Sequence, residues 1–125
     1  MNWLLVIIGA MVGAPLRYLT DRAVQLRHDT VFPWGTLVVN VTGSLVLGLL
    51  AGATSAGHAS PQLQLLIGTG LCGALTTYST FSYETLRLIE TGAGFYAAAN
   101  VVASVTAGLG AAFAGVSFAE AVWPR

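Results

Sequence analysis

Four apolar runs, each close to the length of a bilayer crossing, dominate this 125-residue chain. A spanning helix needs roughly 20 mostly apolar residues. The runs extend from about Trp3 to Leu19, Trp34 to Ala53, Leu63 to Leu88 and Phe95 to Val122. The first can continue amphipathically towards Leu26, and the third is long for one crossing. Charged residues make up only 8% of the chain, against about 25% in soluble domains, too few to cover a water-facing surface. The expected class is an all-α integral membrane protein with four transmembrane helices, forming one domain over residues 1–125.

The connections agree with that division. VQLRHDTVFP is polar, and Pro33 stops a helix carried over from the first run. TSAGHASP holds Gly57 and Pro61, while the two glycines of ETGAG read as a helix cap and turn. Trp3, Trp34 and Trp123 fall at run ends, where the amphipathic indole prefers the membrane interface. MNWLLVIIGAMVGAPLRY lacks a basic segment ahead of its apolar core and reads as a retained first span, not a signal peptide.

Charge excludes some functions and leaves topology weakly set. The bases are Arg17, Arg22, Arg27, Arg87 and Arg125, the acids Asp21, Asp29, Glu84, Glu90 and Glu120, and lysine is absent. A net charge of zero gives no basic footprint for nucleic acid. Four crossings put both termini on one side, and the arginines lean slightly towards cytoplasmic 1–2 and 3–4 loops. A chain this weakly biased is able to insert in both orientations. Cys72 has no second cysteine to pair with and reads as a small buried apolar group.

Polar residues inside the runs carry the functional signal. Thr36, Asn40 and Ser44 repeat at four-residue steps in the second run, continued by Gly48 and Gly52. Tyr96, Asn100 and Ser104 repeat that spacing in the fourth. Either row alone is explained equally well as interhelical hydrogen bonding. A third feature favours a polar pathway: from Thr76 to Tyr83, seven of eight residues carry a hydroxyl. Gly70 and Gly73 precede that stretch and weaken helix, and Thr76, Thr77, Ser79 and Thr80 compete for backbone hydrogen bonds. The combination predicts a third helix broken near its middle. Unwound backbone at membrane depth is tolerated only when buried or lining a cavity, where carbonyls suit a small hard cation and N–H groups and hydroxyls suit anions.

Other patterns mislead or stay open. Gly68 to Gly73 matches a dinucleotide fingerprint but has no βαβ setting, and the sequon at Asn40 lies in mid-span. Arg17 either snorkels or lines an aqueous vestibule, and Glu84 either lines a vestibule or sits solvated near a loop. Small residues at four-residue spacing (Gly9 and Gly13, Gly48 and Gly52, Ala107, Ala111 and Gly115) serve helix packing, with self-association expected to use them.

GAPLRY, PWGTLVVNVTGS and GLCGALTTYSTFSYE together resemble the Fluc (CrcB) family of small fluoride channels, over all four runs. The resemblance implies a dual-topology antiparallel homodimer with two fluoride pathways, multi-pass in the cytoplasmic membrane. It implies a structural, untransported Na⁺ at the dimer centre, held by the backbone carbonyls of Gly73 and Thr76. Tyr78 and Phe81 take the places of the family's paired pore phenylalanines, and Asn40 and Arg17 those of its helix-two asparagine and vestibular arginine. Thr77, Ser79, Thr80, Ser44, Tyr96 and Ser104 complete the expected pathway, with Glu84 beside Arg17 at the vestibule. The family usually reads TTFSTF where this chain has TTYSTF, so Tyr78 adds a hydroxyl. The function implied is passive fluoride export that relieves toxicity.

Rival classes fit less well. A small proton-coupled multidrug exporter needs an acid inside a span; the first run has none before Asp21, and Glu84 lies towards a span end. A purely structural subunit leaves the polar rows unexplained. An enzyme lacks a converging nucleophile and base, since His28 and His58 lie in connections.

Overall fold

The second and third apolar runs end where a glycine turn supplies a stop. The computed structural model describes residues 2–27 and 32–123. His28, Asp29 and Arg125, used above for charge and connection assignments, lie outside them. Helix α1 is Asn2–Arg27 and α2 is Trp34–Ser55, with Pro33 immediately before α2. Helix α3 opens as Pro61–Leu63, widens into π-helical turns over Gln64–Cys72 and closes on the turn Gly73–Leu75. Helix α4 is Ser79–Glu90 and α5 is Gly94–Val122. Ser60 caps α3 by accepting from the Leu63 N–H at 3.1 Å, with Pro61 at the first helical position.

Gly57 and Gly92 adopt φ values of +80° and +81° after α2 and α4. There the His58 N–H reaches back to the Ala53 carbonyl at 2.8 Å, and the Ala93 N–H to the Leu88 carbonyl at 2.7 Å. These closures satisfy carbonyls that a helix end would otherwise leave bare, and their left-handed residue is glycine because a Cβ is strained there.

Helices α1, α2 and α5 are long and apolar enough to cross a membrane. The stretch from 63 to 88 is occupied by α3 and α4, neither of which is that long. Large apolar side chains such as Trp3, Met11, Val102, Leu109 and Phe113 lie exposed along α1 and α5. So much exposed apolar surface suits lipid or a partner helix, not water.

Two pairings build the bundle, and glycine makes both possible. A side chain on Gly9 would strike the Leu66 carbonyl and approach the Leu71 amide to 2.7 Å, so α1 lies directly on the π-helical backbone of α3. Gly13 meets the Leu71 carbonyl and Ala74 in the same seam. In the second pairing Gly48 meets the Ala112 carbonyl, Gly52 meets Ala119, and Gly115 faces the Leu45 carbonyl and the Leu49 amide. The small-residue rows at Gly9 and Gly13, Gly48 and Gly52, and Gly115 are therefore used in packing within the chain. They do not speak for self-association.

Candidate functional site

The chain leaves helical geometry just after Leu75. Thr76 is extended, with φ −79° and ψ 161°, and α4 resumes at Ser79. Side chains take over the hydrogen bonds that a continuous helix would make here. The Thr77 N–H, which would pair with the Gly73 carbonyl, donates instead to Asn40 Oδ1 at 2.8 Å. The Thr77 carbonyl, which would accept from Phe81, accepts from Asn40 Nδ2 at 3.0 Å. The Thr80 N–H, which would pair with Thr76, donates to Thr77 Oγ1 at 3.1 Å, which satisfies one of the open N–H groups at the start of α4. Thr76 Oγ1 donates to the Cys72 carbonyl at 2.8 Å. The carbonyls of Gly73 and Thr76 consequently have no hydrogen-bond donor among the described residues.

Helix α2 is shaped to hold this turn. Asn40 presents both ends of its carboxamide to one residue's backbone, as a strand neighbour would. One turn on, a side chain at Gly43 would collide with Thr76 Cγ2, so the glycine leaves room for that methyl. One turn earlier, Thr36 is buried and donates through Oγ1 to Glu84 Oε1 at 2.5 Å, tying α2 to α4.

An outward-opening cavity of about 390 Å³ lies beside the turn. Asn40, Ser44, Thr76, Thr77, Tyr78, Phe81 and Ser104 line it, with Leu47, Val105 and Gly108 as apolar wall. The rings of Tyr78 and Phe81 stand 6.5 Å apart, tilted by 42°. Tyr78 is 82% exposed, and its hydroxyl makes no hydrogen bond among the described residues. A hydroxyl carries one proton and a carboxamide nitrogen two. By that inventory, donors still free at the cavity are the second Asn40 Nδ2–H and the hydroxyls of Ser44, Thr77 and Tyr78. No lining side chain is charged.

The remaining nominated residues lie elsewhere. Arg17 and Thr80 line a smaller pocket of about 160 Å³ with Tyr18, Asp21, Thr36, Val39 and Thr77. Thr77 is thus shared by both spaces. Glu84 is bound to Thr36 and borders a third pocket, with Gln25, Pro33, Arg87, Leu88 and Thr91. Ser79 is exposed, and Tyr96 rests edge-on against Phe95, ring centroids 5.7 Å apart; neither lines the cavity. The α5 row is therefore not uniform: Tyr96 faces outward, Asn100 is buried, and Ser104 reaches the cavity.

Three further residues shape the site. Thr36 stood in the α2 row, so its spacing was a signal. Thr85 accepts from the buried Asn100 at 2.9 Å, a pairing that no spacing reveals. Asp21 Oδ1 is buried with no hydrogen-bond partner among the described residues, and it fills the space that a side chain on Gly35 would need. Among the described residues no cluster of three or more His, Cys, Asp or Glu could hold a metal ion.

Comparison with known proteins places this geometry. Residues 4–116 match the family model described as CrcB-like protein, Camphor Resistance (CrcB). The chain is 83% identical over 123 residues to fluoride-specific ion channel FluC 1 of Streptomyces avermitilis, covering 98% of this chain and 99% of that one. It is 70% identical to the protein of the same name in Frankia casuarinae, again over 98% and 99% of the two chains. A third, from Nocardia farcinica, is 54% identical over 98% of this chain and 84% of the relative. With a family model spanning most of its length and relatives this similar over nearly all of it, the chain belongs to the CrcB family.

Proposed function

We propose that this protein is a fluoride-specific ion channel, not an enzyme, that lets fluoride leave the cell passively across the cytoplasmic membrane. The observation that carries the reading is the cavity beside Thr76–Tyr78, where neutral donors converge and no lining side chain is charged. Fluoride is small and holds its water strongly, so a path for it must replace water donors with protein donors. Asn40, Ser44, Thr77 and Tyr78 supply such donors, and the ring edges of Tyr78 and Phe81 add weakly positive contacts. None offers a full charge. Conduction needs binding strong enough to admit the ion and weak enough to release it.

Two copies of the chain in opposite orientations complete the proposal. The weak charge bias supports dual insertion, and the outward-opening cavity supports closure by a second copy. Arg17 at the smaller pocket raises the local potential for an anion approaching Thr77 and Thr80.

The implied Na⁺ fits the residues present. Two peptide carbonyls, of Gly73 and Thr76, lie free of hydrogen-bond donors, and carbonyl oxygen is a hard ligand suited to a hard cation. A side chain at Gly73 would meet nothing within 4 Å, so this edge of α3 is open to a partner. When bound, the ion would supply positive charge opposite these carbonyl dipoles. Asn40 and Thr77 play the complementary part, because their side chains occupy the amides that would otherwise reclaim these carbonyls.

The test is fluoride efflux from liposomes carrying the purified protein, read with a fluoride electrode. Efflux well above that of protein-free vesicles is expected, and an equal rate overturns the channel reading. Proton-driven uptake of a lipophilic cation would support the exporter alternative instead. Replacing Na⁺ with a bulky organic cation should loosen the dimer or stop flux; indifference to Na⁺ removes that ion from the account.

A further inference from the structure

Behind the cavity wall, four groups form a chain of hydrogen bonds whose direction is fixed. Ser104 Oγ meets Asn100 Oδ1 at 3.3 Å, Asn100 Nδ2 meets Thr85 Oγ1 at 2.9 Å, and Thr85 Oγ1 meets the Phe81 carbonyl at 2.8 Å. The Phe81 carbonyl can only accept, so the single proton of Thr85 points to it. Thr85 must then accept from its other neighbour, and only the NH₂ end of Asn100 can donate. That orients the carboxamide, leaving Oδ1 towards Ser104. Asn100 is 0% exposed, so water cannot satisfy Oδ1 in place of Ser104.

We infer that Asn100 is a positioning residue that holds the proton of Ser104 away from the cavity, so that Ser104 shows the passing anion its oxygen and not its O–H. The inference rests on the fluoride-channel reading and names how that path avoids holding its ion too tightly. Ser104 lines the same cavity as Asn40, Ser44, Thr77 and Tyr78, each of which keeps a free donor. If Ser104 turned its proton to the anion, the buried Asn100 Oδ1 would lose its partner. The cavity thus works with one donor fewer than its composition suggests. The device is directional: it fails if any link stops passing its proton towards Phe81.

The experiment is fluoride flux against fluoride concentration in liposomes, for wild type, Asn100→Leu, Thr85→Ser and Asn100→Leu/Ser104→Ala. Asn100→Leu keeps a side chain of similar size and removes Oδ1, releasing the serine proton to the cavity. One added hydrogen bond corresponds to roughly three- to tenfold in an equilibrium constant. The half-saturating fluoride concentration should fall by about that factor in Asn100→Leu. Thr85→Ser keeps the relay and should behave as wild type. Adding Ser104→Ala removes the released donor and should cancel the Asn100→Leu shift in the double variant.

An unchanged half-saturation in folded Asn100→Leu overturns the inference, as does a shift that persists in the double variant. If Asn100→Leu does not fold, Asn100→Val takes its place: a fall of about three- to tenfold supports the inference, and an unchanged value overturns it. A purely structural role for the relay would lower the amount of folded protein without moving half-saturation. Failure of wild type to exceed empty vesicles is a separate result that overturns the channel reading itself.

Discussion

The two halves of one stripe on α2 meet the rest of the chain in opposite ways. Thr36, Asn40 and Ser44 present hydrogen-bonding side chains, and Gly48 and Gly52 present bare backbone, all at four-residue steps. The glycine half lies directly on α5, with the Ala112 carbonyl where a side chain of Gly48 would be. In the polar half Asn40 holds backbone that is not helical, pairing with Thr77, while Thr36 ties down the side chain of Glu84 on α4. Spacing therefore decides which side of the helix is used. Residue type decides whether the neighbour is a helix that can come close or a turn that needs hydrogen-bond partners.

The comparison breaks most severely at the glycine half. Gly48→Leu should abolish folded protein, since the obstructing group is backbone and cannot swing aside. Even Gly48→Ala should cost about 1–3 kcal/mol as overpacking. Yield of monodisperse protein in detergent, and its thermal unfolding, check both. A well-folded Gly48→Leu would contradict the close seam between α2 and α5.

At the polar half the effect should fall on function before stability. Asn40→Ala leaves the Thr77 N–H and carbonyl without partners, at about 1–3 kcal/mol for each group left unsatisfied. Phe81→Ile removes a cavity ring while keeping an apolar body. Each variant should lose fluoride flux while still forming dimers, measured by electrode traces beside size-exclusion profiles. Unchanged flux in both argues against the assigned path.

Thr36→Val tests a smaller effect one turn away. It keeps the shape and removes the donor to Glu84, at about 1–3 kcal/mol for a part-buried carboxyl oxygen left without its partner. Unfolding midpoints in detergent read that loss; an unchanged midpoint would mean that the α2–α4 tie is not stabilising. Smallest of all, Gly92→Ala strains a left-handed turn outside both halves, by about 1–2 kcal/mol. Flux per folded protein should be unaffected there, which makes it a control for the site variants.

What was legible in the sequence was punctuation and periodicity. Gly57, Gly92, Pro33 and Pro61 marked helix boundaries because their backbone limits act locally. The α2 row was legible because four-residue steps keep to one side of any helix. What each row residue would touch was not. Asn40 and Ser44 read alike by spacing, yet Asn40 spends most of its carboxamide on Thr77, while Ser44 keeps its hydroxyl free. Gly9, Gly48 and Gly115 suggested self-association, but their partners are backbone groups of the same chain, set by how helices cross. The widened turns of Gln64–Cys72 and the burial of Asp21 against Gly35 likewise depend on tertiary contact. In the α5 row, even spacing concealed three environments, because a 29-residue helix passes different neighbours along its length.

The central claim is that the polar half of the α2 stripe serves an anion path while the glycine half serves packing alone. Fluoride efflux from liposomes carrying Asn40→Asp, beside wild type and protein-free vesicles, tests it most directly. The carboxylate keeps an acceptor for the Thr77 N–H, loses the donor to the Thr77 carbonyl, and sets a negative charge at the cavity. The account predicts efflux at the protein-free rate from a variant that still elutes as a folded dimer. Efflux at the wild-type rate would contradict it.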